Sequence, residues 1–178
     1  MGDLVATPQM DSQDSSSATH KLAQKWTLWA HLPHDVDWSI KSYKRILDFD
    51  NVETAISLTE TLPATLVKNC MLFLMRDGVM PTWEHSRNCE GGSFSYKVSN
   101  KLVPSTWRNL TYTLVGETLA LNESVMTSIN GITISPKKNF CVVKIWTAHS
   151  RNQDPSTIAS VEPSISPVGC LFRRHNPK

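Results

Sequence analysis

From Leu22 the large apolar residues recur with a period of two. Leu22, Trp26, Leu28, Ala30 and Leu32 fall on one side of an extended chain, and Lys25, Thr27, Trp29 and His31 on the other, until Pro33 ends the run. Successive side chains of a strand point to opposite faces of a sheet, so this pattern commits the chain to a sheet with one buried face. Alternating or apolar runs return at Ile40–Phe49, Cys70–Arg76, Phe94–Ser99, Ile129–Ile134, Phe140–Thr147 and Val168–Arg173. Between them, Asp50 and Glu53 form a capping-box-like pair that predicts a helix of about a dozen residues. Its inward stripe would be Val52, Ala55, Ile56, Thr59 and Leu62, with Pro63 as its stop. Pro104 and Ser105 open a longer helix with Trp107, Leu110, Leu114 and Leu121 on one side, and a weakly helical stretch after Thr147 is broken by Pro155, Pro163 and Pro167. Hairpins are frequent and the helices irregularly placed, which favours an α+β fold with a mostly antiparallel sheet over a parallel, doubly wound one.

The 178 residues suffice for one domain, 20–178, preceded by a tail, 1–19, whose Ser, Asp and Gln content predicts disorder. A net charge of +2 excludes the broad basic surface that binds duplex nucleic acid, DNA included, so any phosphate site must be local. Cys70, Cys89, Cys141 and Cys170 lack metal-ligand spacing, and the chain has no secretory or membrane-spanning apolar run. Reduced thiols in a cytoplasmic protein, with no metal, no cofactor and no membrane partner, are the expectation.

The stretch Asp77–Gly92, DGVMPTWEHSRNCEGG, joins two strands through an Asp-Gly turn signal, a Pro and a Gly-Gly pair. It sets Trp83 beside Glu84. A flat ring beside a carboxylate suits a purine: the ring stacks on the base, and the carboxylate accepts from its N–H edge, guanine alone offering two adjacent donors. A loop Trp is also commonly a half-buried hydrophobe, and a neighbouring Glu commonly solvated, so the pair alone leaves both readings open. Trp38 sits in a polar loop with little core to join. Ser135–Asn139, with Lys137 and Lys138, concentrates positive charge at a strand connection.

HKLAQKWTLWAHLP, DW before a strand, FDNVETAI, the central RDGVMPTWEHSRNCEGG, WRNL…LVGE and a strand ending KIWT occur together in order, from about His20 to Thr147, with a weaker echo at Phe172 and His175. The series resembles the eukaryotic translation initiation factor 4E family, which binds the 5′ cap of messenger RNA. The resemblance implies a curved, mostly antiparallel sheet of about eight strands, three helices on its convex face and a cap slot on the concave one. It implies further that Trp38 and Trp83 sandwich 7-methylguanine, that Glu84 reads its N1 and N2 protons while the backbone N–H of Trp83 donates to O6, and that Trp146 meets the N7 methyl. The methylated base is a cation, so stacking between indoles gains a cation–π contribution of about 0.5–2 kcal/mol.

The departures from the family pattern define further expectations. Ser93 stands where a basic residue usually follows Gly-Gly. The family's phosphate-binding Arg falls on Lys137, with Lys138 as an extra neighbour, and two further basic positions are Asn139 and Val142. On the partner-binding back, Val52 is kept, but Ile56 replaces a Trp, Arg108 and Asn109 replace a Leu-Glu pair, and His20-Lys21 replaces His-Pro. The implied function is non-enzymatic cap binding in translation initiation, with capped messenger RNA and a scaffold of the initiation factor 4G type, or a divergent equivalent, as partners. The alternatives are a cap-binding repressor with an atypical partner surface and a decapping or other guanine-nucleotide enzyme. Against an enzyme stands the lack of a Gly-rich phosphate loop or a metal-spaced carboxylate cluster.

Overall fold

A computed structural model describes residues 19–175; the expected tail lies outside these residues except for its last position. Seven strands form one antiparallel sheet: β1 (Lys21–His31), β2 (Tyr43–Asn51), β3 (Met71–Arg76), β4 (Gly92–Ser99), β5 (Ile129–Pro136), β6 (Phe140–Thr147) and β7 (Leu171–Arg174), in the order β2-β1-β3-β5-β6-β4-β7. Four helices accompany it: α1 (Val52–Thr61), α2 (Ala64–Asn69), α3 (Val103–Val115) and α4 (Glu123–Ser128). The fold is the expected α+β class with a curved antiparallel sheet, and among the described residues it has one strand fewer and one helix more than expected.

The differences have local causes. Asn51, not Asp50, caps α1, its Oδ1 accepting from the Thr54 N–H at 2.8 Å, while Asp50 pairs with Lys21 and Glu53 with His20. Of the predicted inward stripe Ala55 is buried and Val52, Thr59 and Leu62 are half-buried, while Ile56 departs from it and keeps 47% of its surface in solvent. Leu121 lies beyond the end of α3 and is exposed. The stretch after Thr147 holds a single short 3-10 turn, Pro155–Thr157, rather than a helix. Six-residue α2 and α4 are too short to show a 3.6-residue period, and each is stabilised by packing rather than by propensity.

The alternation along β1 sends Trp26, Leu28 and Ala30 into the core beneath the helices, with Leu72 and Leu74 of β3 and Val143 and Ile145 of β6. Trp107, Leu110 and Leu114 of α3, at i, i+3 and i+7, close that core from above. Arg76, at the end of β3, is buried in a closed set of contacts: its guanidinium donates to both carboxylate oxygens of Glu117 (2.9 and 2.8 Å) and to the Ile129 carbonyl (2.7 Å), and lies 4.9 Å from the Trp26 ring centre. The other face of the sheet carries a smaller apolar cluster, Phe73, Met75, Val79 and Trp146, bordered by Trp29, Tyr43 and Met71.

Candidate functional site

That second face holds a cavity of about 440 Å³, walled by Trp38, Tyr43, Phe73, Trp83, Glu84 and Trp146, and at one end by Ser93, Lys144, Arg173 and His175. Trp38, Trp83, Glu84 and Trp146, expected together, are brought together. They arrive from three separate segments, the β1–β2 loop, the β3–β4 connection and β6.

Trp38 comes from the loop between β1 and β2, which turns on its own carboxylates. Asp35 accepts from the Asp37 N–H at 2.9 Å, and Asp37 accepts from the Ser39 N–H at 2.7 Å and the Ser39 hydroxyl at 2.8 Å. The Ser39 N–H bond, first among the causes, holds the Asp37 carboxyl below its ordinary range. The Trp38 ring is 59% exposed, yet its orientation is fixed from behind by His31 of β1, stacked at 4.1 Å between ring centres and 5° between planes. His31 is in turn fixed by its Nε2–H donating to the Asp37 carbonyl at 2.8 Å. Alternation alone puts His31 on the face of β1 opposite Trp26; the contact that buries it and gives it a role spans a loop and leaves no periodic signal.

Trp83, 49% exposed, and Glu84 stand on the β3–β4 connection. Asn88, fully buried, organises that connection. Its amide donates to the carbonyls of Met80 (2.9 Å) and Thr82 (2.8 Å), its Oδ1 accepts from Asn130 at 2.9 Å, and its carbonyl accepts from His175 Nδ1 at 2.8 Å. Satisfying every polar group of one buried amide makes a long turn stiff. Gly91 closes it where a Cβ would sit 1.7 Å from the Thr147 carbonyl oxygen, so no larger residue fits there. Among the described residues, the backbone N–H groups of Trp83 and Glu84 donate to nothing.

The positive end differs from expectation. Lys137 and Lys138 do not wall the cavity: they sit exposed at the tip of the β5–β6 hairpin, where the Lys137 N–H bonds back to the Phe140 carbonyl at 2.8 Å. Lys144 of β6 and Arg173 and Arg174 of β7 line it instead. Burial, followed by the charges of Lys137 and Arg173, pushes the Lys144 ammonium below its ordinary range. Lys144 was legible as the one charge in an otherwise apolar strand, on the same face as Trp146.

On the helix side, Val52 and Ile56 line an apolar groove of about 390 Å³ with Leu22, Ala55, Tyr112 and Val115. The other expected partner residues are engaged elsewhere. His20 Nδ1 lies 2.6 Å from Glu53, Arg108 lies 3.8 Å from Glu60 in a neighbouring polar groove, and Asn109 donates to the Glu162 carbonyl at 2.9 Å.

The profile of the family described as Eukaryotic initiation factor 4E matches residues 21–166. The chain belongs to that family. A relative from Eremothecium gossypii, Eukaryotic translation initiation factor 4E, is 30% identical over 160 residues, covering 84% of this chain and 72% of the relative. Its counterpart in Saccharomyces cerevisiae is 28% identical over 162 residues, covering 86% and 74%. Among solved structures, the Ascaris suum eIF4E-3 complex with m7G cap is 27% identical, with a TM-score of 0.66 and coverage of 76% of this chain and 77% of that one. Proteins of the initiation factor 4E family are cap-binding translation factors, not enzymes, which removes the decapping alternative. Among the described residues no group of His, Cys, Asp or Glu could hold a metal, the four cysteines are free, and no helix is long and apolar enough to cross a membrane.

Proposed function

We propose that this initiation factor 4E family protein binds the 7-methylguanosine cap of messenger RNA in the cavity, with Trp38 and Trp83 as stacking plates. Glu84 reads the N1 and N2 protons, the free N–H of Trp83 serves O6, and Trp146 meets the methyl group. The observation that carries this reading is the convergence of two exposed indoles and a carboxylate on one cavity that no side chain of the fold fills. Exposed Trp side chains leave apolar area in water, and a ligand with two flat faces covers it at both plates at once. Glu84 adds selectivity for the cationic, methylated base, since the carboxylate and both indoles favour positive charge. On this reading the protein acts in translation initiation, and the apolar groove at Val52 and Ile56 takes a helical segment of a scaffold of the initiation factor 4G type or a divergent equivalent.

Tryptophan fluorescence tests the base reading. Quenching should be strong with 7-methyl-GTP and weak with GTP. Glu84→Ala, which leaves two base donors unpaired, should cost about 1–3 kcal/mol of binding. Equal affinity for the two nucleotides would sink the assignment.

A further inference from the structure

Lys144 and Arg173 face the same side of the sheet as Trp146, and the strand registers show how near they are to it. Ser93 of β4 pairs across with Trp146 on one flank and with Arg173 on the other, while Lys144 precedes Trp146 by two residues and pairs with Ser95. Side chains two apart on a strand share a face, so Lys144 stands about 7 Å along β6 from Trp146. The hairpin tip bearing Lys137 is level with Phe140, six residues from Trp146, or about 20 Å. Among the described residues neither Lys144 nor Arg173 has a carboxylate within ion-pair distance, and Glu84 is the cavity's one carboxylate. Cations gathered on one wall, half-buried in the case of Lys144 and without counter-charge, are what a bound anion would satisfy.

We propose that Lys144 and Arg173, flanking Ser93, form the phosphate clamp of this protein and grip the phosphates nearest the nucleoside, whereas Lys137 and Lys138 contribute little. The proposal rests on the base reading above, because Trp146 marks the base end from which the phosphates leave. It follows from the registers and the cavity walls: Lys144 and Arg173 stand beside Trp146, one ribose away from a base held there, while Lys137, although its charge reaches Lys144, sits at a hairpin tip that does not wall the cavity. The first two phosphates should therefore supply most of the affinity gained over the nucleoside, and the third little more. Ser93 fits this arrangement: a long side chain there would occupy the space between the two cations, and its small hydroxyl leaves that space for an anion.

The test is a fluorescence titration series with 7-methylguanosine and its mono-, di- and triphosphates, repeated with the unmethylated nucleotides. It compares the wild type with Lys144→Met, Arg173→Met and the double variant Lys137→Ala, Lys138→Ala. Lys144→Met and Arg173→Met should each lower affinity for the diphosphate about tenfold while moving that for the nucleoside by no more than about twofold. The Lys137, Lys138 variant should bind the diphosphate as the wild type does. Arg173 lies exposed on the edge strand, so its variant reports on the clamp even if Lys144→Met, at a half-buried position, melts earlier. A gain from nucleoside to diphosphate that survives both clamp variants, that is lost in the Lys137, Lys138 variant, or that is absent from the wild type overturns the proposal. Loss of methyl selectivity with the phosphate steps intact would overturn the base reading instead.

Discussion

Beneath the helices Trp26 and Trp107 are sealed in the core, while across the same sheet Trp38 and Trp83 leave 59% and 49% of their surfaces in water. One residue type is used in two ways, and the difference lies in what positions each ring. The buried indoles are held by packing from all sides. The exposed ones are held from one side only, Trp38 by the His31 ring and Trp83 by a loop stiffened at Asn88. The helix face carries the folding energy, and the open face spends little of it, which is what allows that face to offer apolar area to a ligand.

The largest effect that separates the two faces is expected at Trp107. Trp107→Ala empties a filled site between α3 and the sheet and should destabilise by about 3–5 kcal/mol, read by thermal or urea unfolding. Binding per folded molecule should stay near wild type, because Trp107 does not reach the cavity. Trp83→Ala should do the reverse: stability within about 0.5 kcal/mol of wild type, since the ring packs little, and a binding loss of about 1–3 kcal/mol, the worth of one stacked base. If Trp83→Ala unfolds the protein as readily as Trp107→Ala does, the contrast between the faces fails.

Much of this contrast could be read in the sequence, and the reasons are physical. Alternation along β1 separates Trp26 from Trp29 and His31, and the motifs around Trp83 and Glu84 carry the family pattern. What escaped reading depends on contacts between residues far apart. Asn88 bonds to Asn130 and His175, 42 and 87 residues away, and nothing local distinguishes it from any loop Asn. The charges at Lys137 and Lys138 were conspicuous because they are adjacent, whereas Lys144 is hidden inside an apolar strand, and only the register of β4, β6 and β7 places it beside Arg173 in the cavity. Helices α2 and α4 are less than two turns long and lack a readable period.

A smaller effect is expected on the groove between α1 and α3. Ile56 offers less flat area than the Trp usual at its position, and Arg108 is held by Glu60 at 3.8 Å in a pair exposed on both sides, which is worth little. A Tyr-x-x-x-x-Leu helical peptide should bind weakly to the wild type. The Ile56→Trp, Arg108→Leu double variant should improve that by about 1–3 kcal/mol, the order of one buried apolar side chain, as read by calorimetry. Tight binding by the wild type would show that the groove already suffices.

The smallest effect concerns acid, and it distinguishes the open face from the sealed one by titration. His175 closes the cavity beside Trp146, its Nδ1–H donating to the Asn88 carbonyl, and burial first, with Lys144 also repelling, holds its pKa below the ordinary 6.5, against the opposing Asn88 bond. The folded state therefore resists protonation more than the unfolded chain does. Between the two pKa values the unfolded chain binds more protons, so stability rises with pH there. The contribution is fully present above about pH 6.5 and is lost as pH falls through the lower folded value. Unfolding curves taken from pH 7.5 downward should show this loss beginning near pH 6.5, and His175→Gln, which cannot titrate, should flatten it. Protonation keeps the Asn88 bond but adds a positive charge beside Trp146, so affinity for the cationic, methylated base should fall over the same interval. A wild type and a His175→Gln variant with identical pH profiles would show that His175 does not couple acid to the open face.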